Sequence, residues 1–312
     1  MAEVVIAETM APEAVGDLTA RYETLYDPGL VDDRNALASA LADALALIVR
    51  NRTQVDRPLL DAAPRLRAIG RLGVGLDNID VDACRIRGIG VHSAAGANAV
   101  AVAEYVVAAL LLLRRGCFAA TAEVAAGRWP RARYQDGAEV DGATLGLVGF
   151  GNIGQEVARR AQALGMTVLA HDPGVARDDP IWAETGVAPK PLAELLPAVD
   201  ALSLHVPKTP GTYHLIDAAS LDRLPPHALV VNTARGGVVD ETALAAALRC
   251  GRLAGAALDV FEAEPLPPGS PLAGLDNVIL TPHVAGLTRQ SNRRVGTSVA
   301  RQILSALEAA GR

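Results

Sequence analysis

The chain predicts an α/β protein built on two doubly wound parallel sheets, on three observations. Half of its 312 residues are apolar and only 3% are aromatic, a balance rich in Ala, Val, Leu and Gly that suits buried parallel strands covered by helices. Short apolar runs alternate with helical periodicity along most of the length. The stretch Thr144-Leu-Gly-Leu-Val-Gly-Phe-Gly-Asn-Ile-Gly154 reads as a buried strand, a glycine turn and a helix start.

The elements follow in order. Residues 4–7, 46–49, 67–70 and 90–92 are predicted as strands, with helices over 36–44 and 81–87, a small doubly wound unit of its own. A long helix over 99–114 comes next. Gly127-Arg-Trp-Pro-Arg-Ala-Arg133 then breaks the periodicity and reads as a loop. A second series of six strands is predicted over 144–149, 167–171, 201–206, 228–233, 254–259 and 277–281, with helices that include 191–199 and 241–249. Asp240 suits the N-cap of the latter helix and Gly251 lies just past its end. The last helix, over 289–309, has no strand of its own to cover and is expected to pack on the first unit. That domain is then discontinuous, 1–98 with 287–312, and 99–286 is inserted in it.

Composition narrows the function classes. A formal charge of −6 supplies no basic field for nucleic acid or anionic lipid, and scarce aromatics leave no platform for base stacking. Cys84, Cys117 and Cys250 have no metal-ligand spacing and no even count, so they read as reduced thiols of a cytoplasmic protein without a metal site. No basic segment followed by an apolar signal core opens the chain. The apolar run 101–113 is interrupted by Glu104, ended by Arg114-Arg115, and too short to span a bilayer.

Gly149, Gly151 and Gly154 have the G-x-G-x-x-G spacing, which lets backbone approach a pyrophosphate and aims a helix N-terminus at it. Asp172 ends the next strand 18 residues beyond Gly154, the place of an acid that binds the adenosine ribose hydroxyls. It favours NAD over NADP, because a 2′-phosphate there would meet a like charge; Arg177 lies near enough in sequence to offset part of that. Three polar residues then stand just past predicted strand ends: Arg235, Glu264 and His283. Ligands of open α/β sheets bind at that edge. Hydride transfer from a hydroxyl needs a base for the hydroxyl proton, and histidine as a residue type titrates close to working pH. A neighbouring carboxylate fixes the tautomer, and an arginine can hold a substrate carboxylate through two parallel hydrogen bonds.

At these residues the chain resembles the D-2-hydroxyacid dehydrogenases, most closely their phosphoglycerate-dehydrogenase-like branch. The resemblance is carried in order by Gly73-Val-Gly-Leu-Asp-Asn-Ile-Asp80, Asn98 with Val102-Ala-Glu104, Gly149-Phe-Gly-Asn-Ile-Gly154, His205-Val-Pro207, Asn232-Thr-Ala-Arg-Gly-Gly237, Asp259-Val-Phe261 with Glu264-Pro265, and Thr281-Pro-His-Val-Ala-Gly286. It implies a Rossmann NAD domain inserted in a smaller flavodoxin-like substrate domain. Arg235 is then the substrate carboxylate and carbonyl ligand, and His283 the acid/base with Glu264 as partner. NAD contacts are implied at Asn152, Ile153, Asp172, His205, Val206, Pro207, Thr212, Thr233, Ala234, Asp259, Ala285 and Gly286. Val74, Gly75 and Asn98 are implied on the substrate side. Arg50 and Arg71 fall where the branch meets a substrate phosphate, which points to a second anionic group, as in 3-phosphoglycerate or 3-sulfolactate. The alternative for Arg50 or Arg52 is a strand cap paired with a nearby acid. Glyoxylate, hydroxypyruvate or a plain D-2-hydroxyacid remain as substrates, and a non-enzymatic NAD-sensing co-repressor as the competing class. Formate-oxidising relatives carry glutamine where Glu264 stands, which disfavours that activity. The helix 99–114 and the Trp129 loop resemble the family's dimerisation segment, so a homodimer is expected. Feedback through the C-terminal region of long phosphoglycerate dehydrogenases is not expected.

Overall fold

The chain, described over residues 2–310 in a computed structural model, divides into two compact units, Met1–Asn98 with Leu287–Arg312, and Ala99–Gly286. The first unit holds β1 (Val4–Ile6), β2 (Thr24–Tyr26), β3 (Ala46–Val49), β4 (Ala68–Arg71) and β5 (Gly90–Ser93), all parallel, in the order β2-β1-β3-β4-β5. Side chains alternate between the two faces, as the pleat requires. Val5, Leu47, Val49 and Ile69 meet Leu37, Leu41, Leu59 and Leu60 on one face. Val4, Ile6, Ala46 and Ile48 meet Val295, Val299 and Ile303 of the final helix, Arg289–Ala310, on the other. That helix seats closely on β4 because Gly70 has no side chain: a Cβ there would fall 2.5 Å from Val299 Cγ1.

Four elements of this unit go beyond the sequence reading: β2, the helices Pro12–Thr19 and Arg57–Asp61, and the 3₁₀ turn Pro28–Val31. β2 has only three residues, lies at the sheet edge and leaves Leu25 and Tyr26 exposed, so no alternating pattern marks it. The helix expected over 36–44 runs Arg34–Ala40 instead. Its start is set by the Asp33 carboxylate, which accepts the N–H groups of Asn35 and Ala36.

The second unit holds seven parallel strands rather than six: β6 (Thr144–Val148), β7 (Thr167–His171), β8 (Ala188–Pro189), β9 (Ala201–Leu204), β10 (Leu229–Asn232), β11 (Gly255–Leu258) and β12 (Val278–Leu280). Their order is β12-β11-β10-β9-β6-β7-β8, so the winding reverses between β6 and β9, the switch point at which doubly wound sheets bind ligands. The added strand, β8, is a two-residue edge piece. The helix expected over 191–199 is α-helical only over Leu192–Leu195 and continues as a 3₁₀ turn, Leu196–Ala198. Pro197 has no N–H with which to extend the α-helical ladder. Helix Glu241–Arg249 is capped by Asp240, whose carboxylate accepts Ala243 N–H at 2.9 Å, and Gly251 follows its end at φ +72°. Helix Ala99–Arg115 buries Val102, Val106 and Leu110 against Val157 and Ala161 of helix Asn152–Ala163 and against Leu145, Leu147 and Val231 of the sheet. Much of its apolar stripe is therefore covered by its own chain. The segment read as a loop over 127–133 runs into a 3₁₀ turn, Arg131–Tyr134. Among the described residues no helix is long and apolar enough to cross a membrane.

Candidate active site

The glycine turn joins β6 to helix Asn152–Ala163, and its three glycines do different things. Gly149 has φ +96°, and a Cβ there would lie 2.5 Å from the His205 carbonyl oxygen. A Cβ on Gly154 would lie 2.4 Å from the Gly149 carbonyl oxygen. A Cβ on Gly151 meets nothing within 4 Å, so its small size answers to no neighbour in the protein. Gly151 is also the N-cap, and no side chain caps the helix. The uncapped first turn of Asn152, Ile153 and Gly154 thus opens onto free space, the arrangement that binds a phosphate. At the end of β7, the Asp172 carboxylate accepts Phe150 N–H of the glycine turn at 2.7 Å and Gly174 N–H at 2.8 Å. Each oxygen keeps a lone pair for a ribose hydroxyl.

Past β9 the chain carries His205, Val206 and Pro207. His205 Nε2 is 3.0 Å from the Ser203 hydroxyl, while its Nδ1 is buried with no partner among the described residues. Burial holds the imidazole at about 3, well below its ordinary 6.5, so it is neutral. The Thr212 hydroxyl donates to the Pro207 carbonyl at 2.6 Å and accepts Thr209 N–H at 2.8 Å, closing the loop that presents Val206 and Pro207. Past β10, the Thr233 hydroxyl is buried without a partner among the described residues. An uncapped helix start, a cradle at Gly151, an acid at the β7 end and an orphaned hydroxyl suit a dinucleotide in both shape and hydrogen-bonding capacity.

Arg235, Glu264 and His283 follow β10, β11 and β12. Buried Asn232 closes the turn before Arg235: its Oδ1 accepts Ala234 N–H at 3.0 Å and its Nδ2 donates to the Arg235 carbonyl at 3.1 Å. Gly236 then packs so tightly that a Cβ would sit 1.7 Å from the Phe261 carbonyl oxygen. The loop bearing Arg235 therefore lies directly on the loop bearing Glu264. Glu264 Oε1 accepts Phe261 N–H at 3.0 Å, and Oε2 is 2.7 Å from His283 Nδ1. Burial alone would raise this carboxyl, but the hydrogen bonds from His283 and Phe261 N–H and the charges of His283 and Arg235 outweigh it and hold it below the usual carboxylate range. A carboxylate can only accept, so Nδ1 carries a proton, and in the neutral form of the ring Nε2 is the acceptor.

His283 itself has φ +57°, a left-handed backbone that costs a non-glycine residue about 1–2 kcal/mol. Asp259, 1% exposed at the end of β11, holds the turn in place. Its carbonyl accepts His283 N–H at 2.9 Å, and its carboxylate accepts Thr281 Oγ1–H at 2.6 Å, Val284 N–H at 2.8 Å and Ala285 N–H at 2.8 Å. Asp259 thus supports the turn that carries His283, Ala285 and Gly286. Thr281 Oγ1 is in turn 2.6 Å from the Tyr105 hydroxyl. Sequence reading singled out none of Asn232, Thr281 or Tyr105 individually.

In the first unit, Arg50 and Arg71 follow or end neighbouring strands, Val49 being in register with Arg71. The Arg50 loop is built by buried Glu8, which accepts the N–H groups of Arg50 at 2.8 Å and Thr53 at 3.0 Å, and by Asn78, which donates to the Arg50 and Thr53 carbonyls at 3.2 and 2.7 Å. The Arg50 guanidinium meets neutral acceptors, Asn292 Oδ1 at 3.2 Å and the Thr9 carbonyl at 3.1 Å. Burial pushes it below its ordinary value, against the charges of Glu8 and Tyr26. Arg52 instead forms an exposed pair with Asp32. Arg71 is 9% exposed and folds back over Gly73, where any Cβ would collide with its guanidinium, and beside exposed Val74 and half-buried Gly75. Asn98 Oδ1 is buried without a partner among the described residues.

Comparison with known proteins adds to this geometry. Residues 107–285 match the family described as D-isomer specific 2-hydroxyacid dehydrogenase, NAD binding domain. The (S)-sulfolactate dehydrogenase of Chromohalobacter salexigens is 55% identical over 295 residues, 95% of each chain. The D-3-phosphoglycerate dehydrogenase of Archaeoglobus fulgidus is 39% identical over 97% of this chain, which spans 57% of that relative's length. A Thermus thermophilus protein of known crystal structure superposes with a TM-score of 0.89 at 36% identity, covering 98% of this chain and 97% of its own.

Proposed function

The chain belongs to the D-isomer specific 2-hydroxyacid dehydrogenases, NAD-dependent oxidoreductases, and on that premise we propose that it acts on a small 2-hydroxyacid with a second anionic group, a 3-sulfolactate or 3-phosphoglycerate type of substrate. When bound, NAD supplies the acceptor for the hydride that leaves the substrate carbon. His283 takes the hydroxyl proton at Nε2 while its Nδ1–H stays on Glu264, whose charge steadies the imidazolium that forms. Arg235 binds the substrate carboxylate and polarises the oxygen that becomes the carbonyl. The dinucleotide rests on Gly149–Gly154, Asp172, the loop 205–212, Thr233, Ala234 and the turn ending at Ala285 and Gly286. Backbone at Val74 and Gly75, with Asn98, meets the substrate carboxylate side. We place the enzyme in the cytoplasm, as its three free cysteines suit. We take it as a homodimer that covers the exposed Phe118, Val124 and Trp129.

The observation that carries the substrate class is Arg50. Both hydrogen-bond acceptors of this half-buried guanidinium are neutral, and Glu8 is the carboxylate whose charge acts on it, with no ion pair between them among the described residues, so the guanidinium can take an incoming anion; Arg71 ends the next strand. The identity to a sulfolactate dehydrogenase over nearly its whole length supports the same class. The test is turnover of sulfolactate, phosphoglycerate, glycerate and lactate by wild type and Arg50→Ala. The variant should lose about tenfold to a hundredfold in kcat/KM on the two doubly charged acids, the range for a hydrogen bond to a charged group, and stay within about twofold on lactate. Equal losses on all four, or a wild type that prefers lactate, would remove the second anion from the assignment.

A further inference from the structure

A directed chain of hydrogen bonds reaches the His283 turn from helix Ala99–Arg115, far from it in sequence. Thr281 has one hydroxyl proton, and it goes to Asp259 Oδ1 at 2.6 Å. The 2.6 Å contact between Tyr105 and Thr281 can then have only one sense: the phenol donates and the threonine oxygen accepts. Burial raises the Tyr105 phenol above its ordinary value, so it stays a protonated donor at neutral pH. The chain ends on the carboxylate that also takes Val284 N–H and Ala285 N–H, and the Asp259 carbonyl holds His283 N–H. All of these groups lie within Ala99–Gly286.

We propose that Tyr105 and Thr281 are positioning residues for the acid/base step: through Asp259 they hold the His283 turn in its left-handed conformation, so that Nε2 faces the reacting oxygen while Nδ1 stays on Glu264. Neither residue touches the substrate. Their effect is on how much of the time the imidazole stands in register, and so falls more heavily on kcat than on nucleotide affinity, to which the same turn contributes through Ala285 and Gly286. Removing the phenol oxygen leaves the Asp259 carboxylate three donors but frees the Thr281 hydroxyl to rotate away from it. Removing the threonine hydroxyl takes one donor from a buried carboxylate outright, the larger loss. This inference rests on the assignment of His283 as acid/base.

The test is a double-mutant cycle of Tyr105→Phe and Thr281→Val, with Thr281→Ser and His283→Asn alongside, reading kcat, KM for the hydroxyacid, NADH affinity by fluorescence, and thermal midpoint. Tyr105→Phe should lower kcat about threefold to tenfold and Thr281→Val about tenfold or more, with a smaller loss of NADH affinity than of kcat in each. Thr281→Ser, which restores the donor, should recover at least half of the wild-type kcat. The double variant should fall no further than Thr281→Val alone, because one chain is broken once. Independent losses that multiply, a failure of serine to rescue, or an unchanged kcat in Tyr105→Phe would each overturn the positioning role. If His283→Asn keeps wild-type turnover, the acid/base assignment fails instead, and the two failures are told apart.

Discussion

His205 shows how one half-buried side chain, its Nδ1 fully enclosed, shapes the pH response. Its ring is held neutral with a value of about 3, against an ordinary 6.5. Between those values the unfolded chain binds a proton that the native state refuses. Stability from this site is therefore complete above about pH 6.5 and is lost progressively as pH falls toward 3. Urea midpoints taken from pH 7 to pH 4 should show a steeper decline for wild type than for His205→Gln, the slopes differing by up to about 1.4 kcal/mol per pH unit. Parallel declines would mean that His205 takes up its proton without unfolding. Glu264 is a different case. Its carboxyl is held low by groups of the site itself, His283 first among them, so its ionised form persists into acid solution together with the ion pair it makes.

Loops after neighbouring strands carry the site at the next scale, and two glycines separate packing from binding. Gly236 lies on the Phe261 carbonyl and Gly151 faces open space. Gly236→Ala should therefore cost about 1–3 kcal/mol of stability, as overpacking does, and at least tenfold in kcat/KM by parting the Arg235 loop from the Glu264 loop. Gly151→Ala should stay within about 0.5 kcal/mol of wild type in stability yet weaken NADH binding. Denaturant midpoints and NADH titrations on both variants check this, and the reverse pattern would contradict it. Most of this architecture was legible in the chain. Strands such as 144–149 and 201–206 were read to within two residues of β6 and β9, because buried parallel strands are continuous apolar runs bounded by turn residues. β2 and β8 were not, since edge strands of three and two residues have no period to detect. Arg235, Glu264 and His283 were legible as polar residues at strand ends. The supporting contacts were not: Tyr105 lies 176 residues from Thr281, and nothing local in either segment points to the other. Asn232, by contrast, sits inside the Asn232–Gly237 run, and its role shows only in the turn it closes.

At the scale of the molecule, the two sheets divide the chemistry. The seven-stranded unit carries the dinucleotide turn, the His283–Glu264 pair and Arg235. The five-stranded unit carries Arg50 and Arg71, the proposed ligands of the acid's second anion. On that proposal selectivity and proton transfer rest on different sheets, so Arg50→Ala should alter which acid is used and leave the rate of proton removal from lactate within about twofold. Everything depends on the imidazole at the end of β12. The most direct measurement is single-turnover hydride transfer by His283→Asn, with NADH affinity determined on the same preparation. A drop of about 10²–10⁴-fold in rate, the range for a lost general acid/base, with NADH affinity within about twofold of wild type, is the expected result. A rate within tenfold of wild type would contradict the assignment of the proton to this residue.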